Sequence, residues 1–574
     1  MSRPEPMELG ITVPAGKPGA DIFLAPSCQA ANMISNFDAA LVHKWISNCR
    51  SNHQGCALNM TNATPTRLIE VFDAQGSPSA RLIVADQTEG HKDYAALSYC
   101  WGQNNHSLTT TTNIDDLVEQ IDVSNLPKTY RDAIEVCHGV GLRYLWIDAL
   151  CIIQDDGGHD KRIELTKMHL YYRNATLTIV ASMANNVHDG FIYQTDIFNT
   201  TRSLDYIQKT LPLLCTVPIY TPKEDHFTVT LEAGISRHLP CRDPVNARAW
   251  CLQERLMSPR TLHFATPTGL TMMCETEERH NERLFYSRVA WSGVCRSMFK
   301  PSVHHYSLGE TEPAMLLAES WLDLVNDYCA RKMTDPDDKL IAISSLAYEY
   351  GTKHGQQLGT YVAGHWSNFL AHSLGWEANH GPKPAPAAER APSWSWAAVE
   401  GALYMPISKR SQPEACRLRV INYEATAVHE ENPFGPVRSG SIRVRSKFKG
   451  SAWFARYETI AGKTARDGSE EYQRFSSCFI QGDANPRGRK LHRAVPDSSE
   501  CIPSITKPVA AVYLLVLYDD LDSTDRNGLH NIDVTCLVLQ HVEEAVFRRI
   551  GIIEDLWVEK EKYLLWKELE VVLV

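Results

Sequence analysis

YAALSYCWG, residues 94–102, is the stretch whose reading decides the fold. It is an apolar run closed by Trp101 and Gly102, and it reads as a buried strand. Downstream, LPKTYRDAIEVCHGVG (126–141) repeats Tyr130, Ala133, Ile134 and Cys137 at helical spacing. Pro127 suits the first turn of that helix and Gly141 the position just past its end. RYLWID (143–148) predicts a second strand running into a polar loop, ALCIIQDDGGHD. A second helix is expected from about 160 to 173, and ATLTIVAS (175–182) predicts a third strand. Three such strands separated by helices form a βαβαβ unit, whose right-handed crossovers make the sheet parallel.

In parallel sheets ligands sit beyond the carboxyl ends of the strands. That rule gathers Ser98, Tyr99, Trp101 and Gly102 beside Asp148, Cys151 and Gln154, with Ser182 from the third strand. The crevice would hold an aromatic plate, a carboxylate, an amide and several backbone N–H groups. On the second helix Glu164, Met168 and Tyr171 share one face, so the carboxylate continues an apolar stripe.

These blocks, YAALSYCWG, LPKTYRDAI…YLWIDALCIIQDD and E…KM…YY.NA, resemble the signature blocks of the fungal heterokaryon-incompatibility (HET) domain. WISNCRSNHQGC (45–56), RAWCLQERLMSPRTLHF (248–264), YVAGHW (361–366) and PSWSWA (392–397) are similar to segments that recur in full-length HET proteins. The resemblance implies a distant relation to TIR domains and a role in cell death after fusion of unlike cells. TIR-type enzymes cleave NAD through a helix-borne glutamate, and Glu164 is the matching residue here. The sequence departs from the family pattern at Lys161, where a Trp is common, and at Ala149, where Ser is frequent.

Composition fits a soluble cytoplasmic protein. Charged residues at 22% and hydrophobic residues at 44% are ordinary globular values. A net charge of -11 argues against nucleic acid or an anionic membrane as a general partner. The sixteen cysteines form no compact framework, and MSRPEPMELG carries no secretory signal, so reduced thiols are expected. The longest apolar run, AAVYLLVLY (510–518), falls short of the roughly 20 residues a membrane helix needs and reads as a buried strand.

The expected fold is α/β: an N-terminal parallel-sheet, TIR-like domain, a helical middle and a mainly antiparallel β-domain at the C-terminus. Expected boundaries are a flexible arm over 1–36, the HET core over 37–200, a mainly helical remainder over 201–390 and the β-domain over 391–574. Residues 461–493 read as a long exposed loop within that last part. Cys49, His53 and Cys56 have ligand chemistry, but no fourth ligand lies at finger-like spacing. Packing thiols with a helix-capping His are therefore favoured over zinc, and no metal is assigned.

Each candidate residue has a plain reading beside the functional one. For Glu164 it is a first-turn glutamate paired with Lys167; for Trp101, a core aromatic under the Gly102 turn; for Asp148, a cap on the following loop. Glu254 lies near Arg248 and Arg255 in sequence, and a structural ion pair is the favoured reading. Cys151 lacks the partners of a triad, and Ser98 and Ser182 lack a base in sequence reach, so hydrogen-bonding roles suit them better. Glycosidic cleavage of NAD passes through an oxocarbenium-like state that a carboxylate stabilises. The leading expectation is thus a death effector with Glu164 and Asp148 as catalytic carboxylates, no cofactor, and NAD as a possible substrate. The alternatives are a cyclase or pericyclase-like enzyme that folds a small apolar metabolite and a non-catalytic module signalling by self-association or an allelic partner.

Overall fold

A computed structural model describes residues 8–12, 37–57, 64–74, 76–85, 92–103, 107–182, 184–192, 213–220, 226–234, 244–265, 269–276, 278–280, 313–379, 383–386, 389–404, 416–461, 471–481, 491–504, 507, 509–519 and 531–574. Its contacts divide the chain into two compact units, 1–297 and 298–574.

The first unit runs β1 (Glu8–Thr12), α1 (Ala39–Asn52), α2 (Gln54–Ala57), β2 (Arg67–Ala74), β3 (Ser77–Val84), β4 (Tyr94–Ser98), α3 (Ile114–Glu119), α4 (Lys128–Gly139), β5 (Tyr144–Trp146) and α5 (Asp148–Cys151). It continues α6 (His159–Asn174), β6 (Leu177–Val180), β7 (Leu213–Tyr220), β8 (His226–Gly234), α7 (Ala249–Met257), β9 (Arg260–Ala265), β10 (Gly269–Cys274) and β11 (Glu278–His280). Eight strands form one sheet in the order β11-β10-β9-β6-β4-β5-β2-β3. At its centre β4 pairs in parallel with both β5 and β6, and Ala95 lies opposite Leu145 on one side and Leu177 on the other. This is the expected βαβαβ unit. The sheet as a whole is mixed, because β2, β3, β10 and β11 join by antiparallel pairing.

Burial explains why these residues adopt these elements. All five residues of β4 are buried, as a strand covered on both faces requires. On α4 the predicted face of Tyr130, Ala133, Ile134 and Cys137 has no solvent exposure. On α6 Glu164, Met168 and Tyr171 are buried together. The loop after β5 opens with the single helical turn α5 rather than running irregularly from the strand end.

Three expectations need correction. Within 201–390, the described residues between 201 and 297 form the strands β7 to β11 and one helix, so a mainly helical middle is not evident among them. Part of the supposed arm is the strand β1, which pairs antiparallel with β8. In the second unit a strand occupies part of the expected loop over 461–493.

The second unit contains the helices α8 (Pro313–Cys329) and α9 (Ile341–Leu358) and two short ladders, β12 (Tyr361–Val362) with β13 (His365–Trp366) and β14 (Glu377–Ala378) with β15 (Leu403–Tyr404). YVAGHW and PSWSWA meet here. The Gly364 carbonyl accepts the indole N–H groups of Trp321 and Trp396, each at 3.0 Å, and Ser395 Oγ donates to the Ala363 carbonyl at 2.7 Å. Gly364 has φ +98°, and a Cβ there would lie 2.5 Å from Trp396 Nε1, so only glycine lets the indole approach.

The C-terminal sheet is mostly antiparallel and consists of β16 (Arg419–Ala427), β17 (Val437–Ala461), β18 (Glu471–Gln481), β19 (Leu491–Pro496), β20 (Val509–Asp519), β21 (Asn531–Glu543), β22 (Val546–Glu559) and β23 (Lys567–Leu573). The path β17-β18-β19-β22-β21-β20 returns to β17, so six strands close a ring and remove their own edges. Alternate residues fill it: Val512, Leu514 and Val516 from β20, and Ile532, Val534, Cys536 and Val538 from β21. The expected loop over 461–493 is crossed by β18, which pairs with both β17 and β19. Arg487, Arg489 and Lys490 of that stretch lie outside the described residues.

Candidate functional site

At the carboxyl end of β4 the chain presents Ser98, Tyr99, Cys100, Trp101 and Gly102. Gly102 turns it with φ +74°, and a Cβ there would meet Asn186 Cβ at 2.4 Å. A side chain is thus excluded on both conformational and steric grounds. The turn brings Trp101 alongside the end of β5. There the Asp148 carboxylate accepts Tyr99 O–H at 2.7 Å on one oxygen and Trp101 Nε1–H at 2.9 Å on the other. Ala149 N–H adds a third bond at 2.7 Å, and Tyr130 O–H lies 2.9 Å from the Tyr99 hydroxyl.

A second carboxylate stands beside the first group. Glu254, from α7, accepts Ser98 Oγ–H at 2.5 Å and is 7% exposed. Arg248, at the start of the same helix, donates to the Tyr99 carbonyl at 2.5 Å. Its positive charge acts on both Asp148 and Glu254. Burial raises the Asp148 carboxyl above its ordinary value, against the hydrogen bonds from Tyr99 and Trp101 and the charge of Arg248. Burial likewise pushes Glu254 up to about 7, against Arg248 and the Ser98 bond, with the Asp148 charge adding to the rise. Such a carboxyl changes protonation near neutral pH, which suits proton transfer.

Glu164 occupies a neighbouring group. Its oxygens accept Thr66 Oγ1–H at 2.7 Å and Tyr171 O–H at 3.0 Å, and the residue is 1% exposed. It lies well inside α6 rather than in the first turn, and its partners are these two hydroxyls rather than Lys167. Next to it Arg67 bridges Asp160 at 2.9 Å and donates to the Cys151 carbonyl at 2.9 Å, pinning the loop between β5 and α6 to β2. Cys151 feels the charges of Arg67, Asp148 and Glu164, while burial pushes its thiol up to about 12, which disfavours a nucleophilic thiolate.

The structure therefore joins Tyr99, Trp101 and Asp148 directly, ties Ser98 to Glu254, and engages Glu164 with Thr66 and Tyr171. Trp101 is half-buried with its indole fixed on Asp148, rather than wedged wholly into the core. Gln154 donates its amide to the Ile152 carbonyl at 3.0 Å. Ser182 is fully buried, and its hydroxyl has no hydrogen-bond partner among the described residues. Thr66, Arg67, Tyr130 and Arg248 were not read as part of a crevice. Of these only Arg248 gave a signal, through its spacing to Glu254. A recess lined by Met315, Trp321, Trp366 and Phe369 in the second unit carries none of these groups.

Residues 94–254 match the family model described as Heterokaryon incompatibility protein (HET). This chain carries a HET domain. The match opens at Tyr94, the first residue of β4, and closes at Glu254, the carboxylate that accepts from Ser98. It spans both carboxylates of the rim and Glu164. Neither the curated proteins nor the solved structures contain a match to the chain. No helix among the described residues is long and apolar enough to cross a membrane.

Proposed function

We propose that this chain is an effector of the heterokaryon-incompatibility type whose HET domain cleaves the glycosidic bond of a nicotinamide nucleotide at the carboxyl ends of β4 and β5. One observation carries the reading: a partly accessible carboxylate, Asp148, is locked by Tyr99 and Trp101, while Ser98 of the same strand end bonds a buried carboxyl, Glu254, that burial pushes up to about 7.

Asp148 supplies negative charge where a ribosyl oxocarbenium develops, and its orientation is fixed before substrate arrives. Trp101 offers an aromatic face for the departing nicotinamide or the adenine. Glu254, through Ser98, accepts a proton from water or from a ribose hydroxyl. Glu164 is the residue nominated by the resemblance to TIR-type enzymes. With both oxygens engaged and almost no exposure, it is assigned a supporting position behind Asp148, acting through Cys151 and the loop pinned by Arg67.

Purified full-length chain incubated with NAD is expected to release nicotinamide, read by chromatography. Asp148→Asn is expected to cut the rate by roughly 10²-fold or more. Intact NAD in the wild-type reaction, with toxicity on expression unchanged in Asp148→Asn, would remove the proposal and leave an assembly role.

A further inference from the structure

WISNCRSNHQGC carries three residues of metal-ligand type, and the fold supplies a fourth. Cys49 and His53 stand one helical turn apart at the end of α1, with His53 as its C-cap. The short α2 turns the chain back so that Cys56 N–H bonds the His53 carbonyl at 3.1 Å. Cys274, the last residue of β10, enters from the opposite side of the sequence, with its sulfur 3.4 Å from His53 Nδ1. The three sulfurs and the imidazole nitrogen all lie within 4.8 Å of one another. The cysteines are almost fully buried, at 0%, 3% and 4% exposure.

We propose that Cys49, His53, Cys56 and Cys274 form a structural zinc site. Zinc–sulfur bonds of about 2.3 Å and zinc–nitrogen bonds of about 2.0 Å place tetrahedral ligand atoms about 3.5–3.8 Å apart, the scale of this cluster. Four protein ligands leave no open position, which marks a structural rather than a catalytic centre. A disulfide would consume two of the thiols and leave the third and the imidazole facing it. On binding, Zn2+ displaces three thiol protons to solvent, and three thiolates with one neutral imidazole leave the site with a net charge of about -1. Arg260 answers that charge: its Nε–H points at Cys49 Sγ at 3.2 Å, and its other nitrogens donate to the carbonyls of Cys56 and Thr176 at 3.3 Å. The Thr276 hydroxyl lies 3.6 Å from Cys56 Sγ. Such outer contacts orient ligands and are the usual companions of a built site. The ligands flank the HET match on both sides, so the ion would clasp α1 to β10 and close the domain from its two ends.

Elemental analysis of the full-length chain, purified without chelator from zinc-supplemented culture, tests this directly. About one zinc per chain is expected, falling below about a tenth in Cys49→Ser and Cys274→Ser and unchanged in Cys416→Ser, a half-buried thiol outside the cluster. Should the ligand variants fail to fold, wild-type protein suffices. Titrating its thiols with a mercurial must release zinc in step, and cobalt taken up in its place must show the intense visible absorption of a tetrahedral thiolate site. Wild-type chain free of zinc that takes up neither metal overturns the proposal. So does zinc that survives both ligand substitutions, or iron bound in place of zinc.

Discussion

Glu254 draws its chemistry from where it is held rather than from what it is. Its folded value near 7 stands above the ordinary 4.5, so between those values the folded state binds more protons than the unfolded chain. The stability tied to this group is therefore full below about pH 4.5 and is lost as pH rises through 7, on the order of 3 kcal/mol in all. Glu254→Gln removes that loss. Denaturant unfolding of the variant is expected to show a flatter pH dependence than wild type between pH 5 and 8, and identical slopes would show that Glu254 does not titrate there. Gly102 makes a second residue-scale prediction. Gly102→Ala places a methyl group on Asn186 in a left-handed backbone, and a loss of about 2 kcal/mol or more is expected in the same measurement. A neutral result would mean that the turn carrying Trp101 is not fixed as described. At this scale the sequence showed part of the site. Strand-end logic located Tyr99, Trp101 and Asp148, because each lies a residue or two from an apolar run. Glu254 was noticed but assigned to its arginine neighbours, since its bond to Ser98 joins residues 156 apart and leaves no local pattern. Cys274 was invisible for the same reason.

Among the elements, the continuous apolar strands were the readable ones. β4, β5 and β6 are buried on both faces and announce themselves, whereas β18 does not. Among its described side chains Cys478 and Ile480 fill the ring, and the polar residues of its sequence read as a loop. A buried ion pair secures the second unit. Arg549 from β22 holds Asp497 through two bonds of 3.0 and 3.2 Å, donates to the carbonyls of Leu374 and Trp376 at 2.5 Å, and lies over the Trp376 ring at 3.5 Å. Arg549→Met strands the Asp497 carboxylate without a partner and is expected to cost about 3–5 kcal/mol, read as a shift in urea midpoint. Combining it with Asp497→Leu should recover most of that loss. A double variant no more stable than the single one would mean that the cost comes from the lost carbonyl and ring contacts instead.

For the molecule as a whole, the HET match lies within the first unit, and the carboxylates it spans, Asp148, Glu164 and Glu254, stand on three different helical segments. The second unit has its own closed ring and its own aromatic cluster, and no residue proposed for catalysis. The proposed function thus rests on which carboxylate would meet the substrate. The direct test is nicotinamide release from NAD by wild type, Asp148→Asn and Glu164→Gln, assayed side by side at neutral pH. The account predicts a loss of roughly 10²-fold or more for Asp148→Asn and within about tenfold for Glu164→Gln. The reverse ranking would move the reacting centre to Glu164, and no release by wild type would contradict the account altogether.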